Sequence, residues 1–130
     1  MKKILLFGLC LFCFIVTGCS SNTTKDVLTL DDFLDVATYH GFTVNDNMHN
    51  YSQEEYIMGS LVANKDDISI EMVTYNTADD ANKVQEAQID RFMKLKSTGS
   101  AINKDKGNNY YKYVMISNGY YMVSSRVDNT

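Results

Sequence analysis

The sequence predicts an α+β domain, an antiparallel sheet of about four to five strands with two helices packed on one face. Three observations predict it. Two segments carry helix caps followed by apolar residues at helical spacing. Several runs rich in Val, Ile, Tyr and Met read as strands. Asn118-Gly119 lies between two of those runs, and both residues tolerate the positive φ of a tight hairpin turn.

The elements follow in order. Thr29 is a good N-cap with Asp32 at the capping-box position. Leu30, Phe33, Leu34 and Ala37 then share one helix face, and Gly41 is placed to end the helix. Residues 42–44 read as a short strand and 45–53 as a polar loop. Residues 55–63 and 68–75 read as strands around a turn at 64–67. Thr77 caps a second helix, with Asp79 and Asp80 at its positive end and Lys94 and Lys96 at its negative end. Its stripe is Ala81, Val84, Gln88, Phe92 and Leu95. Residues 100–109 read as a polar loop. A hairpin of 110–117 and 120–127 closes the domain. No internal repeat is visible. Asp128-Asn129 reads as a turn leading onward, so the domain, 27–130, is expected to be a fragment or to lack a final element.

The first residues carry a different signal. Lys2 and Lys3 precede an apolar stretch from Ile4 to Val16. That is 13 residues, short of the roughly 20 that span a bilayer as a helix. A charged start, a short apolar run and a small residue make a secretory leader. Val16-Thr17-Gly18-Cys19 then resembles the lipobox of bacterial lipoproteins. The resemblance implies that residues 1–18 are a lipoprotein signal peptide and that Cys19 becomes the lipidated N-terminus. The alternative is an uncleaved signal anchor with Cys19 as an ordinary cysteine. Cys10-x-x-Cys13 lies inside the apolar run and leaves with it, so the mature chain keeps Cys19 alone and forms no internal disulfide. Residues 19–26 are expected to form a lipidated flexible tether, because they hold no apolar side chain that could pack. The expected location is the extracytoplasmic face of the cell membrane. Abundant Asn, Lys and Tyr lean toward a Gram-positive host; by the same resemblance, Ser20 would permit outer-membrane export in a Gram-negative one. The mature domain is loosely similar to small lipoproteins of Gram-positive bacteria.

Without Lys2 and Lys3 the chain has ten basic and 16 acidic side chains, a net charge of −6. Nucleic-acid binding is disfavoured, since it needs a basic patch. The net charge also predicts repulsion from anionic headgroups, leaving lipid to hold the domain at the membrane.

Little in the sequence points to reactive chemistry. Gly59-Ser60 stands without a nucleophile-elbow motif. His40 suits a helix C-terminus and His49 a solvated loop, so no metal site and no cofactor are expected. Asn103 to Gly107 is a turn rather than a calcium loop. The paired carboxylates sit in first helical turns or beside a hairpin, not in apolar surroundings that would raise a pKa. One feature stands out. Pairing outward from Asn118-Gly119 places Tyr111, Tyr113, Met115, Tyr120, Met122 and Arg126 on one sheet face. Val114, Ile116 and Val123 lie on the other, which is expected to face the helices. A Tyr/Met surface with an Arg suits binding, and it equally suits the covered side of a core. The sequence therefore predicts a non-enzymatic binding or interaction module for an envelope protein, peptide or glycan. The alternative is a hydrolase or other enzyme acting on the cell wall.

Overall fold

A computed structural model describes residues 23–130. Cys19, the leader and the first residues of the tether lie outside the described residues. Thr29 opens α1 (Leu30–Tyr39). Its N–H donates to the Asp32 carboxylate at 2.9 Å and its hydroxyl accepts the Asp32 N–H at 3.1 Å. This is the reciprocal box that the sequence predicts. The Thr29 hydroxyl, and then its backbone N–H, hold the Asp32 carboxyl below the usual carboxylate range. Gly41 at φ +79 reverses the chain after the helix.

β1 (Thr43–Asp46), β2 (Ile57–Lys65) and β3 (Ile68–Tyr75) form an antiparallel meander, with a 3₁₀ turn at Met48–Tyr51 between the first two. Thr77 then caps α2 (Ala78–Lys94) through its hydroxyl, which accepts the Asp80 N–H at 3.1 Å. β4 (Ala101–Lys106), β5 (Tyr110–Ser117) and β6 (Tyr120–Val127) make a second antiparallel meander. Asn118 and Gly119 take φ values of +51 and +80 at its last turn.

The class is α+β, but the single sheet of four to five strands is corrected to two sheets of three strands each. The added strand is β4, expected as loop. Its residues are polar apart from Ala101 and Ile102, and all six are exposed. It is an edge strand paired only with β5, so it needs no buried face and leaves no apolar alternation to read. Helix followed by three-stranded meander occurs twice along the chain, a repeat of architecture without a repeat of sequence. The two halves are stitched where Tyr75 N–H donates to Asn129 O at 2.8 Å and Asn129 Nδ2 returns a bond to Tyr75 O at 2.8 Å.

The helices do not share one face. Gly59, opposite Thr74, lies directly under Leu30 of α1, where a Cβ would strike the Leu30 side chain. On the other face of the same sheet Ile57, Tyr75 and Ala81 form a buried cluster, with Met48, Tyr51, Val73 and Val84 against it. The first half of α2 thus covers the side opposite α1. Further along, Ile89 and Phe92 of α2 pack on Tyr113, Met115, Tyr111 and Met122 of the second sheet. One helix therefore serves two cores. Residues one turn apart along its stripe are claimed by different sheets.

Candidate interaction surface

The pairing inferred for the last hairpin holds. Tyr111 lies opposite Arg126, Met115 opposite Met122, Val114 opposite Val123 and Ile116 opposite Tyr121. The orientation of the face is reversed. Tyr113 is 1% exposed and Met115 is 0% exposed, both beneath Phe92. The Tyr113 hydroxyl donates to Met93 Sδ at 3.1 Å and its ring lies 6.4 Å from that of Phe92. Tyr111 and Met122 flank the same cluster. Arg126 donates from Nε to Gln85 Oε1 at 3.3 Å, and Gln85 Nε2 donates to Tyr111 O at 2.9 Å. Arg126 is thus part of the helix–sheet seam. Of the six predicted binding residues, Tyr120 at the turn end is freely exposed. The physical reason is that α2 brings Phe92 and the buried amide of Gln85, which fit a Tyr/Met face with accessible carbonyls. The other face carries Val114, Ile116 and Val123 at its centre.

The face left open is therefore the other one. Ile116, Val123 and Tyr121 project from the second sheet away from α2, at 46%, 42% and 66% exposure. Val114 lies between them, half-buried. Sequence reasoning placed these residues against the helices, so this surface was missed. The stripe read from the sequence puts Gln88 and not Gln85 on the inner side of α2, yet Gln85 is the buried amide there, and its bond to Arg126 selects the face that carries that arginine.

At the far end of that open face the chain's own N-terminal segment is seated. Thr23 Oγ1 and Tyr110 OH are 3.1 Å apart, and Asn108 N–H donates to Thr23 O at 3.0 Å. Lys25 N–H donates to Asn109 Oδ1 at 2.9 Å, and Asn109 Nδ2 donates to Lys25 O at 2.8 Å. Lys25 Nζ lies 3.9 Å from the Tyr110 ring centre and 3.7 Å from an Asp105 oxygen. The tether was expected to be loose through residue 26, yet Thr23 and Lys25 are held. Polar bonds and a cation over an aromatic ring do what absent apolar residues could not. Gly107 makes room: a Cβ there would meet both the Tyr110 ring and the Thr23 carbonyl.

Elsewhere the polar groups serve the fold. Glu71 accepts from Asn47 Nδ2 at 2.6 Å, Tyr51 OH at 2.6 Å and Ser60 Oγ at 2.9 Å, tying the 3₁₀ turn to the first sheet. Burial, and then the bond to Glu71, raise the Tyr51 phenol well above its ordinary value. Burial pushes Tyr75 up to about 12, with the Glu71 charge adding to it. A phenol whose folded pKa is raised keeps its proton more tightly when folded. Its contribution is fully present below the unfolded value of 10.0 and is lost as pH rises through about 12. Stability should therefore be level from neutral pH to about 10 and decline above it. Thermal melts at stepped alkaline pH check this; a decline already complete by pH 9 would contradict it.

His40 caps the end of α1 edge-on to Tyr39 at 5.2 Å, and His49 lies exposed in the 3₁₀ turn. Among the described residues no group of three His, Cys, Asp or Glu side chains is arranged to hold a metal. A shallow hollow lined by Val27, Leu28, Leu30, Met58, Thr74 and Thr130 has Asp31 as its one carboxylate. No helix among the described residues is long and apolar enough to cross a membrane. Compared with family models, with curated proteins and with solved structures, the chain gives no significant match to any of them.

Proposed function

We propose that this protein is a lipoprotein anchored by acyl chains on Cys19 to the extracytoplasmic face of the cell membrane, where it acts as a non-enzymatic binding module. The observation that carries the reading is the run Val16-Thr17-Gly18-Cys19 after a 13-residue apolar stretch. Two acyl chains give stable anchoring where one is marginal. The seating of Thr23 and Lys25 supports the reading, because it places the start of the folded domain four residues after the proposed anchor. The surface for an envelope partner (protein, peptide or glycan) is the open strip of Ile116, Tyr121 and Val123. Exposed aromatic and aliphatic side chains together are interface material.

The strip is tested by Tyr121→Ala combined with Val123→Ser. Neither side chain lies in either buried cluster. The melting temperature should stay within about 3 °C, as for ordinary surface substitutions. Crosslinking of the anchored protein in its own cells should lose the adducts that wild type gives. A double variant that melts far lower, or one that keeps every adduct, contradicts the assignment.

A further inference from the structure

Charge is strongly segregated in this chain. Residues 26–90, which build α1, the first sheet and most of α2, hold fourteen carboxylates and two lysines, Lys65 and Lys83. Residues 91–130, the end of α2 and the second sheet, hold seven basic side chains and two carboxylates, Asp105 and Asp128. These segments carry −12 and +5; divided at the start of α2, residues 26–77 carry −9 and residues 78–130 carry +2, because Asp79, Asp80, Glu86 and Asp90 lie on α2. Among the described residues the ion pairs are Lys25–Asp105 and Lys83–Asp79. Lys94, Lys96, Lys104, Lys106 and Lys112 thus stand without a carboxylate partner. Lys104 and Lys106 lie on β4, the edge strand of the second sheet, on its α2 side, where Lys104 Nζ is 5.8 Å from the Tyr113 ring centre; Lys112 lies on the neighbouring β5, on the other side of the sheet, opposite Asp105. Lys94 ends α2, and Lys96 follows in the segment leading to β4.

The second observation is independent of charge. Thr23 is bonded to Asn108 and Tyr110, at the end of β4 that carries Lys104 and Lys106. Cys19 is four residues upstream, and four extended residues span at most about 14 Å. A membrane anchor on Cys19 is therefore tethered within about 14 Å of the end of β4.

From these two observations we infer that the β4 edge and the adjoining end of α2 lie against anionic lipid headgroups, with the acidic half turned outward. The inference rests on the anchored reading above. The net charge of the domain does not oppose it. Electrostatic interactions decay within about 10 Å at 0.1 M salt, so the headgroups sense the near face and not the total. Each lysine near an anionic surface contributes about fivefold in affinity. Once lipid holds the domain locally, that preference selects its orientation. Lysines on an exposed edge strand also guard against strand pairing. Lys94 and Lys96 lie outside any strand, and their place at the C-terminal end of α2 also suits the helix dipole.

The test uses the full lipidated chain in vesicles of phosphatidylcholine alone or with one-quarter phosphatidylglycerol. One cysteine is introduced at a time, Asn103→Cys on β4 or Ser69→Cys on β3, and labelled with a fluorophore; headgroup-nitroxide lipids quench it. In anionic vesicles, position 103 should be quenched several-fold more than 69. The difference should collapse in neutral vesicles, at 1 M salt, and with Lys104→Glu, Lys106→Glu and Lys112→Glu combined. Equal quenching at both positions, or a difference indifferent to lipid charge, overturns the inference. Energy transfer between 103 and 69 on separate molecules, with no quenching at 103, assigns the basic edge to a second copy's acidic half and also overturns it. Intact mass on the same samples reports the lipid on Cys19. A lipidated chain with equal quenching refutes the orientation and leaves the anchor standing, whereas an unlipidated chain refutes the anchor itself.

Discussion

Tyr113→Ala destabilises the protein by about 3–5 kcal/mol, the range for removing a buried aromatic side chain. The ring is 1% exposed. It packs among Phe92 of α2, Met115 of the same strand and Met122 of the neighbouring one. For a domain of this size the loss lowers the melting temperature by at least about 10 °C. Tyr113→Phe keeps the ring and removes only the donation to Met93 Sδ, so it should cost less than about 1.5 kcal/mol. Denaturant titration of both variants separates volume from hydrogen bond. An alanine variant within about 2 °C of wild type would mean that this sheet face is open after all.

Ile57→Ala removes the centre of the other cluster, between Tyr75 and Ala81, and should cost about 2–5 kcal/mol. The informative part is the shape of the transition. α2 packs Ala81 and Val84 on the first sheet and Ile89 and Phe92 on the second. A continuous 17-residue helix cannot lose half its packing and stay formed, since short isolated helices are marginal in water. The variant should therefore unfold in one step, earlier than wild type, by both tyrosine fluorescence and far-ultraviolet circular dichroism. Two separated transitions, with the second sheet surviving, would show that the halves are independent.

Local chemistry was legible in the sequence and partner choice was not. Thr29 with Asp32, Thr77 and Asn118-Gly119 each act through bonds or dihedral angles within a few residues, and each sits where the sequence indicates. The register of β5 on β6 follows from the two-residue turn alone. Which side of that hairpin meets α2 depends on a contact between Gln85 and Tyr111, 26 residues apart. Alternation gives two faces and does not label them. The apparent richness of the Tyr/Met side suggested a surface, while the same volume made it the better core. β4 was invisible for a related reason: an edge strand with both faces wet leaves no period. The seat of Thr23 was hidden because its partners, Asn108 to Tyr110, lie more than 80 residues away and the bonds are polar. The division of charge needed no structure. The seat of Thr23 beside Asn108 and Tyr110 is what relates it to the N-terminal segment.

The intact mass of the mature protein extracted from its own membranes decides whether Cys19 carries the anchor. The prediction is a chain beginning at Cys19 and carrying a diacylglyceryl group on its sulfur, with Cys19→Ser giving uncleaved precursor or a released, lipid-free domain. A mature chain that begins elsewhere and bears no lipid, or a Cys19→Ser protein that is still shortened and lipid-modified, would contradict it.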